Sequence, residues 1–241
     1  MNPLLIDHTI VIGAGGTGGY LVPQLARLLA YHPHSSDAVQ LWDGDEFEER
    51  NRERQICGDS QIGLNKATAL ASLCATVGLS GVQPRENFVT ADSMRVATQN
   101  CQRPLVVLAV DNDATRSATL RIMESRARDS RDFFWVSPGN CDNADGQGRI
   151  RADVTWWGMV QGTELGMDPR TLYQNLAEPE DSIPREGSCA LHAPSAPQLL
   201  SANALAATGT LLVIQALLDL QLPPQASAMS IDGRSFSMVF S

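Results

Sequence analysis

The stretch IVIGAGGTGG, residues 10–19, decides the fold class, because an apolar strand here runs directly into a glycine-rich turn. The next residues, YLVPQLARLLA (20–30), have the apolar spacing of a helix. Strand, G-x-G-x-x-G turn and helix in this order make a phosphate-binding unit, since glycine permits the tight turn and brings backbone amides close to phosphate oxygens. The candidate nucleotide-binding residues of the turn are Gly13, Gly15, Gly16 and Gly18.

Outward from this turn, strand and helix patterns alternate along the chain. Predicted strands lie at about residues 8–13, 38–43, 82–89, 104–110, 132–137 and 148–156. Predicted helices lie at about residues 17–30, 63–77, 92–100, 113–127 and 197–220, and two short strands, SAMSID and SFSMVF, follow the last helix. This alternation predicts an α/β fold with a doubly wound, mostly parallel, Rossmann-like sheet flanked by helices.

One segment, residues 158–197, departs from the alternation. It is rich in proline, glycine and acidic residues, shows no clear periodicity, and is long for a passive connection in a compact domain. We therefore interpret it as a long crossover loop that acts as a lid or binding segment. We expect residues 1–241 to form a single domain, because two domains would be crowded into this length.

Composition excludes several classes of protein. The net charge of −9 and the pI of about 4.8 argue against binding to nucleic acid, which needs a basic surface. We find no apolar run long enough to span a bilayer and no signal peptide at the N-terminus, so we expect a cytoplasmic protein without a membrane partner. The five cysteines form no C-x-x-C pair, which argues against a disulfide framework and a structural zinc site.

The second predicted strand, AVQLWD, ends in Asp43, about 25 residues after the glycine turn, where a carboxylate can bind both hydroxyls of a ribose. NAD and ATP fit this arrangement equally well. The continuation DGDEFEERNRERQ is unlike that of a dehydrogenase, because it places several arginines among the acids. Five residues of this stretch carry the resemblance described next, and they are Asp43, Asp45, Asn51, Arg54 and Gln55.

This spacing resembles the D-x-D-x-x-x-x-x-N-x-x-R-Q signature of the ThiF/MoeB/HesA adenylyltransferases in the ubiquitin-activating-enzyme superfamily. IGLNKA resembles a second family stretch and puts Lys66 at its lysine. VVLAVDNDATR resembles the family's D-N-x-x-x-R, carried here by Asp111, Asn112 and Arg116. The resemblance is close over residues 9–150, and the ThiF proteins of plasmid PRTRC gene clusters look most similar.

The resemblance implies an ATP-dependent adenylyltransferase that activates the C-terminal carboxylate of a small ubiquitin-like or sulfur-carrier protein. The residue types suit this chemistry, since attack on the α-phosphate needs cations on the triphosphate and a magnesium ion. Arg54 and Lys66 are candidates for the β- and γ-phosphates, and Asp111 is the candidate magnesium ligand. The resemblance assigns Asn112 to the nucleotide site and implies a homodimer. Arg116 is equally well explained as a brace between helix and sheet.

Members of this family often carry a cysteine in the crossover segment that captures the activated acyl group. PREGSCALHAP places Cys189 there, and Arg185 or His192 would supply the electropositive surroundings that a thiolate needs. A plain loop cysteine is an equal alternative. Cys141 is the second candidate, although its turn-rich surroundings suggest simple exposure. The other cysteines that we consider, Cys57 and Cys74, are interpreted as small core residues.

Two alternatives stay open. An NAD-dependent oxidoreductase is favoured by the glycine turn alone, but we identify no acid-base pair for hydride transfer. A non-catalytic homologue that only binds a partner protein is the other alternative. It is favoured because residues 1–9 contain no arginine, whereas the family's N-terminal arm often sends one into the partner subunit's site.

Overall fold

The structure is a computed structural model that describes residues 6–36, 38–142, 150–184, 200–233 and 237–241. These residues form one nine-stranded sheet with helices on both faces. The strands are β1 His8–Ile12, β2 Val39–Trp42, β3 Val82–Arg85, β4 Pro104–Leu108, β5 Phe133–Asp142, β6 Ile150–Val160, β7 Thr163–Gly166, β8 Ala228–Asp232 and β9 Ser237–Phe240. The helices are α1 Gly16–Tyr31, α2 Lys66–Thr76, α3 Ala91–Gln99, α4 Asp113–Arg128, α5 Gln174–Ala177 and α6 Leu200–Leu218. Short 3₁₀ helices lie at Glu49–Asn51, Asp59–Gln61 and Pro169–Thr171.

The first half of the sheet is parallel, with the strand order β3-β2-β1-β4-β5. The chain moves outward from β1 to β3 and then crosses to β4 on the other side of β1, so strand order reverses between β1 and β4. Ligands of doubly wound sheets bind at such a reversal, beyond the carboxyl ends of the strands. The predicted doubly wound α/β fold is thereby confirmed.

The core has two layers, one on each face of the sheet. Successive residues of a strand point to opposite faces, so Val11 packs in one layer and Ile10 and Ile12 in the other. All five residues of β4 are buried, as expected for a central parallel strand covered on both faces. This burial fixes the register between β1 and β4, which places Ile12 beside Leu108 at the site's edge.

The second half of the sheet is antiparallel, and it corrects the expectation of an unstructured crossover loop over residues 158–197. Strand β6 continues to Val160, and a two-residue turn at Gln161 and Gly162 leads into β7. Both turn residues have positive φ, 51° and 76°, as a tight hairpin of type I′ requires. A 3₁₀ turn and α5 follow. Residues 185–199, with the predicted sites Arg185, Cys189 and His192, lie outside the described residues.

Helix α6 runs beside α1 and covers β5 and β6. Its 19 residues are long and apolar enough to cross a membrane, by length and composition alone. This corrects the expectation that the chain has no apolar run long enough to span a bilayer. Half of the helix is buried inside the fold, as in a core helix. Gly209 permits this packing, because a Cβ atom there would lie 2.8 Å from Cδ1 of Ile231 on β8.

Candidate nucleotide-binding site

The glycine turn is shaped by close packing of backbone on backbone. Gly13 has a φ of +101°, a conformation that side-chain-bearing residues rarely adopt. A Cβ atom on Gly13 would lie well under 3.0 Å from the Ala109 carbonyl oxygen, and one on Gly18 would collide in the same way with the Gly13 carbonyl oxygen. These two glycines therefore let the turn pack against the end of β4 and let α1 pack against the turn.

The other two glycines of the turn have different surroundings. A Cβ atom on Gly16 would overlap the side-chain amide of Asn203 on α6, so Gly16 serves packing. A Cβ atom on Gly15 would meet only Gln55 Nε2, at 3.7 Å, so space is open above this residue. Gly15 is also the N-cap of α1, which has neither a side-chain cap nor an acidic residue in its first turn. The helix N-terminus beside Gly15 is thus open to an anion.

Asp43 joins the end of β2 to the glycine turn. Its Oδ2 accepts a hydrogen bond from the Ala14 amide at 2.7 Å, and its Oδ1 accepts one from the Asp45 amide at 2.8 Å. Burial raises the pKa of Asp43, because loss of water disfavours the carboxylate, while Lys66 and the two amides oppose this effect. Each carboxylate oxygen keeps a further lone pair. Asp43 can therefore accept hydrogen bonds from ribose hydroxyls, as predicted, while it also holds the Ala14 and Asp45 amides.

Lys66 opens α2 and forms an ion pair with Asp45, with 3.1 Å between Nζ and Oδ2. The residue is only 8% exposed, although lysine is rarely buried unless it is paired. Asn65 caps the same helix through Thr68 and donates from Nδ2 to the carbonyl oxygens of Asp43 and Asp45. Lys66 is also the only lysine in the sequence, a signal that sequence reasoning missed.

The loop after β2 is braced from inside by Asn51, which is 5% exposed. Asn51 Oδ1 accepts a hydrogen bond from the Glu48 amide, and its carbonyl oxygen accepts one each from the amides of Arg54 and Gln55. Gln55 is thereby held beside Gly15, and its Oε1 atom is buried without a hydrogen-bond partner. Asn51 is thus an organising residue of the loop, while Gln55 has hydrogen-bonding capacity left for a ligand.

Asp111 and Asn112 follow β4 at the same edge of the sheet. Asp111 is exposed, whereas Asn112 caps α4 by accepting from the Thr115 amide at 2.7 Å. Arg116 pairs with Asp113 at 2.8 Å and donates to the carbonyl oxygens of Val110 and Pro138. These contacts support the interpretation of Arg116 as a brace between α4 and the sheet. The position of Asp111 leaves it accessible to a bound ligand.

Residues 168–184, which the sequence predicts to be part of a loop, are docked on α4, and we call them the strap. Arg170 pairs with Glu124 at 2.9 Å. The carboxylate of Asp181 accepts hydrogen bonds from the amides of Asp113 and Ala114, at 2.8 and 2.7 Å, and from Asn112 Nδ2 at 3.0 Å. The strap therefore ends against the loop that carries Asp111.

The candidate metal site consists of one carboxylate. Among the described residues, no group of three or more histidine, cysteine, aspartate or glutamate side chains is arranged to hold a metal ion. Magnesium often uses one or two protein carboxylates and takes its other ligands from phosphates and water. An exposed Asp111, two residues after the Ala109 carbonyl against which Gly13 packs, fits magnesium that arrives with a nucleotide.

Burial raises the pKa of the thiol in each of the three free cysteines whose side chains are described, Cys57, Cys74 and Cys101, which disfavours the reactive thiolate. Cys74 is fully buried, and burial raises its pKa to about 11. Cys57 is partly exposed, which corrects its interpretation as a core residue, and burial of its thiol still raises its pKa. Cys141 lies on strand β5 and not in a turn.

The open glycine turn, the acid that ends β2 and the reversal of strand order define a nucleotide-binding α/β domain of the Rossmann type. A family model described as the ThiF family matches residues 3–133, which is more than half of the chain. The chain belongs to the ThiF family. No curated protein matches it.

Solved structures share the fold at low sequence identity. MccB of E. coli with ATP is 12% identical with a TM-score of 0.63, over 100% of this chain and 63% of that one. The microcin C7 biosynthetic enzyme MccB with N-formylated MccA is 14% identical with a TM-score of 0.66, over 100% and 64%. PaaA is 14% identical with a TM-score of 0.60, over 98% and 63%. The chain thus spans slightly less than two thirds of the length of these structures.

Proposed function

We propose that this chain is an ATP-dependent adenylyltransferase that activates the C-terminal carboxylate of a peptide or small protein. The observation that carries the proposal is the open space above Gly15, at an uncapped helix N-terminus. Backbone amides and the positive end of the helix dipole favour an anion there. A buried lysine, Lys66, stands on the next crossover helix, where its Coulomb interaction reaches Asp43.

Bound Mg-ATP supplies an electrophilic α-phosphorus and a pyrophosphate leaving group. The substrate carboxylate attacks that phosphorus, the bond to pyrophosphate breaks, and an acyl adenylate forms. In this proposal Asp43 binds the ribose, Lys66 and Arg54 balance the charge that develops on the phosphates, and Asp111 holds magnesium. Preorganised charges of this kind supply most of the rate in phosphoryl-type transfer.

The substrate class is supported by the relatives. MccB has been solved with ATP and with the peptide MccA, so a peptide or small protein with a free carboxylate is the proposed partner. A ubiquitin-like or sulfur-carrier protein is the finer prediction from the family resemblance, as are transfer to Cys189 and a homodimer. A cytoplasmic location also stays a prediction.

Substitution of Lys66 by methionine tests the proposal. The change removes one charge and keeps the aliphatic stem. We expect the rate of isotope exchange between pyrophosphate and ATP, with a candidate carboxylate substrate, to fall roughly 100- to 1000-fold, as for loss of one transition-state donor. Calorimetric titration should show binding of Mg-ATP and much weaker binding of NAD by the unmodified protein.

Arg95→Met is the matched control, because Arg95 also pairs with an aspartate, Asp92, but on the surface of α3. Exchange by this variant should equal that of the unmodified protein. Comparable affinity for NAD and ATP would favour the oxidoreductase. ATP binding without exchange, across a panel of carboxylate substrates, would favour the non-catalytic homologue.

A further inference from the structure

Two aspartates of the candidate site lie in one short loop after β2, residues 43–45, which we call the acidic loop. Its first member, Asp43, faces the glycine turn, because its Oδ2 accepts from the Ala14 amide. Its last member, Asp45, faces α2, because its Oδ2 pairs with Nζ of Lys66. In the proposed function Asp43 binds the ribose and Lys66 the phosphates. The position of α2 relative to this loop therefore sets the distance that a bound triphosphate must span.

The acidic loop is itself held from the side of β3. The amide of Asp43 donates a hydrogen bond to the carbonyl oxygen of Arg85, the last residue of that strand, at 3.1 Å. A Cβ atom on Gly44 would lie 2.6 to 2.7 Å from three ring carbons of Phe88, so the ring lies flat against the backbone of the loop. The loop is thus fixed against β3 and the residues after it. A further contact is needed to fix the start of α2.

Asn65, the residue before Lys66, supplies this contact with both ends of its side-chain amide. Its Oδ1 accepts a hydrogen bond from the Thr68 amide at 3.1 Å and so caps α2. Its Nδ2 donates to the carbonyl oxygens of Asp43 and Asp45, at 2.8 and 3.2 Å. Within residues 38–142, which the structure describes, no other hydrogen bond joins Asp43 to α2 or its cap. One side chain therefore ties the start of the helix to the acidic loop.

The residue type at position 65 is more specific than a helix cap requires. A cap needs only an accepting oxygen, and serine, threonine and aspartate supply one as well as asparagine does. The asparagine amide adds two donor hydrogens, one for each carbonyl oxygen of the acidic loop. The family resemblance singles out Lys66 and gives Asn65 no role. The amide at this position is therefore explained by its bonds to the loop.

We propose that Asn65 is a positioning residue for the nucleotide, which sets the distance between the Asp43 carboxylate and the Lys66 ammonium. The inference rests on the proposed function, in which these two groups bind opposite ends of ATP. Because the start of α2 is already tied to the acidic loop, the ammonium meets the phosphates without a rearrangement of the helix. AMP has no β- or γ-phosphate and does not span this distance, so its binding does not depend on Asn65.

Asn65→Ser tests the inference by calorimetric titration with Mg-ATP and with AMP. Serine keeps an accepting oxygen for the helix cap, but its side chain is too short to reach both carbonyl oxygens of the acidic loop as well. We expect the affinity for Mg-ATP to fall roughly 5- to 50-fold, the equivalent of one or two neutral hydrogen bonds. The affinity for AMP should stay as in the unmodified protein. A role in stability alone would weaken the binding of both nucleotides together.

Thr90→Ala is the matched control, because Thr90 caps α3 by accepting from the Ser93 amide and lies outside the candidate site. It should lower stability to urea and leave the affinity for both nucleotides unchanged.

A double-mutant cycle with Lys66→Met completes the test. In that background Asn65→Ser should no longer weaken the binding of Mg-ATP, since no ammonium is left to be positioned. An equal loss for Mg-ATP and AMP, or the same loss of Mg-ATP affinity with and without the ammonium, would overturn the inference and leave the proposed function standing. Failure of the unmodified protein to bind Mg-ATP would overturn both.

Discussion

Gly18 and Gly19 are neighbours in the first turns of α1, but a methyl group would meet opposite surroundings at the two positions. At Gly18 it would overlap the carbonyl oxygen of Gly13, a backbone atom that cannot move without opening the turn. At Gly19 the nearest atom is the amide nitrogen of Ile56, at the ordinary contact distance of 3.9 Å. One glycine is therefore required by close packing, and its neighbour is not.

Substitution by alanine separates the two. Gly18→Ala should lower the free energy of unfolding by about 1–3 kcal/mol, because overpacking forces the backbone apart. Gly19→Ala should raise it by about 0.5–1 kcal/mol, since alanine loses less conformational entropy in a helix. Urea unfolding measures both. Equal effects of the two variants would show that the turn relaxes around a methyl group.

At the scale of elements, the strap contacts the start of α4, next to the loop that carries Asp111. Asp181 accepts hydrogen bonds from two backbone amides at the start of α4, and its negative charge interacts favourably with the positive end of the helix dipole. The amide of Asn175 adds a hydrogen bond to Asp113 at 2.8 Å. The loop that carries Asp111 is thus held from both sides, by the sheet and by the strap.

Asp181→Asn replaces one accepting oxygen by a donor, which would face a backbone N–H. We expect a loss of about 0.5–2 kcal/mol in the free energy of unfolding, the range measured for lost helix caps. Amide hydrogen exchange at Asp113 and Ala114 should become faster. Asp129→Asn, at the other end of α4, removes a charge that the dipole disfavours, and should leave stability unchanged or slightly higher. Slow exchange retained in Asp181→Asn would assign the strap's position to other contacts.

For the whole molecule, the parallel half of the sheet could be predicted because a helix with clear apolar periodicity follows each of the strands β1 to β4. The antiparallel half could not. Its central contact joins β6 to β8, which are far apart in sequence, and nothing local signals that pairing. The turn at Gln161 and Gly162 was a missed local signal. The same difference holds for the candidate site. Asp43 and Lys66 could be predicted because they belong to spaced motifs, whereas Asp181 and Asn203 are distant in sequence and lie at the site only because the chain folds.

His8 makes the stability of the whole molecule sensitive to acid. Burial lowers the pKa of His8 below its ordinary value of 6.5, an effect that Arg85 adds to and Asp7 opposes. Its Nε2 atom is buried without a hydrogen-bond partner. The unfolded chain therefore binds a proton at His8 more readily than the folded chain does. The contribution of neutral His8 to stability is complete above pH 6.5 and is lost as pH falls toward the lowered pKa.

His8→Gln removes this titration. Between about pH 8 and pH 5, the unmodified protein should lose more of its free energy of unfolding than the variant does, by an amount that grows below the ordinary histidine pKa. Urea unfolding at a series of pH values measures the difference. Parallel curves for the two proteins would mean that the His8 ring is hydrated in solution.

The burial of Lys66 has a chemical consequence for the rest of the surface. All but one of the 18 basic residues are arginines, and the single lysine is tied to Asp45. An acyl adenylate is an acylating agent for amines, whereas a guanidinium stays protonated and does not act as a nucleophile. Under the proposed function, an acyl adenylate released from this site would therefore meet no exposed lysine amine of this chain, and its acyl group would be left for the acceptor.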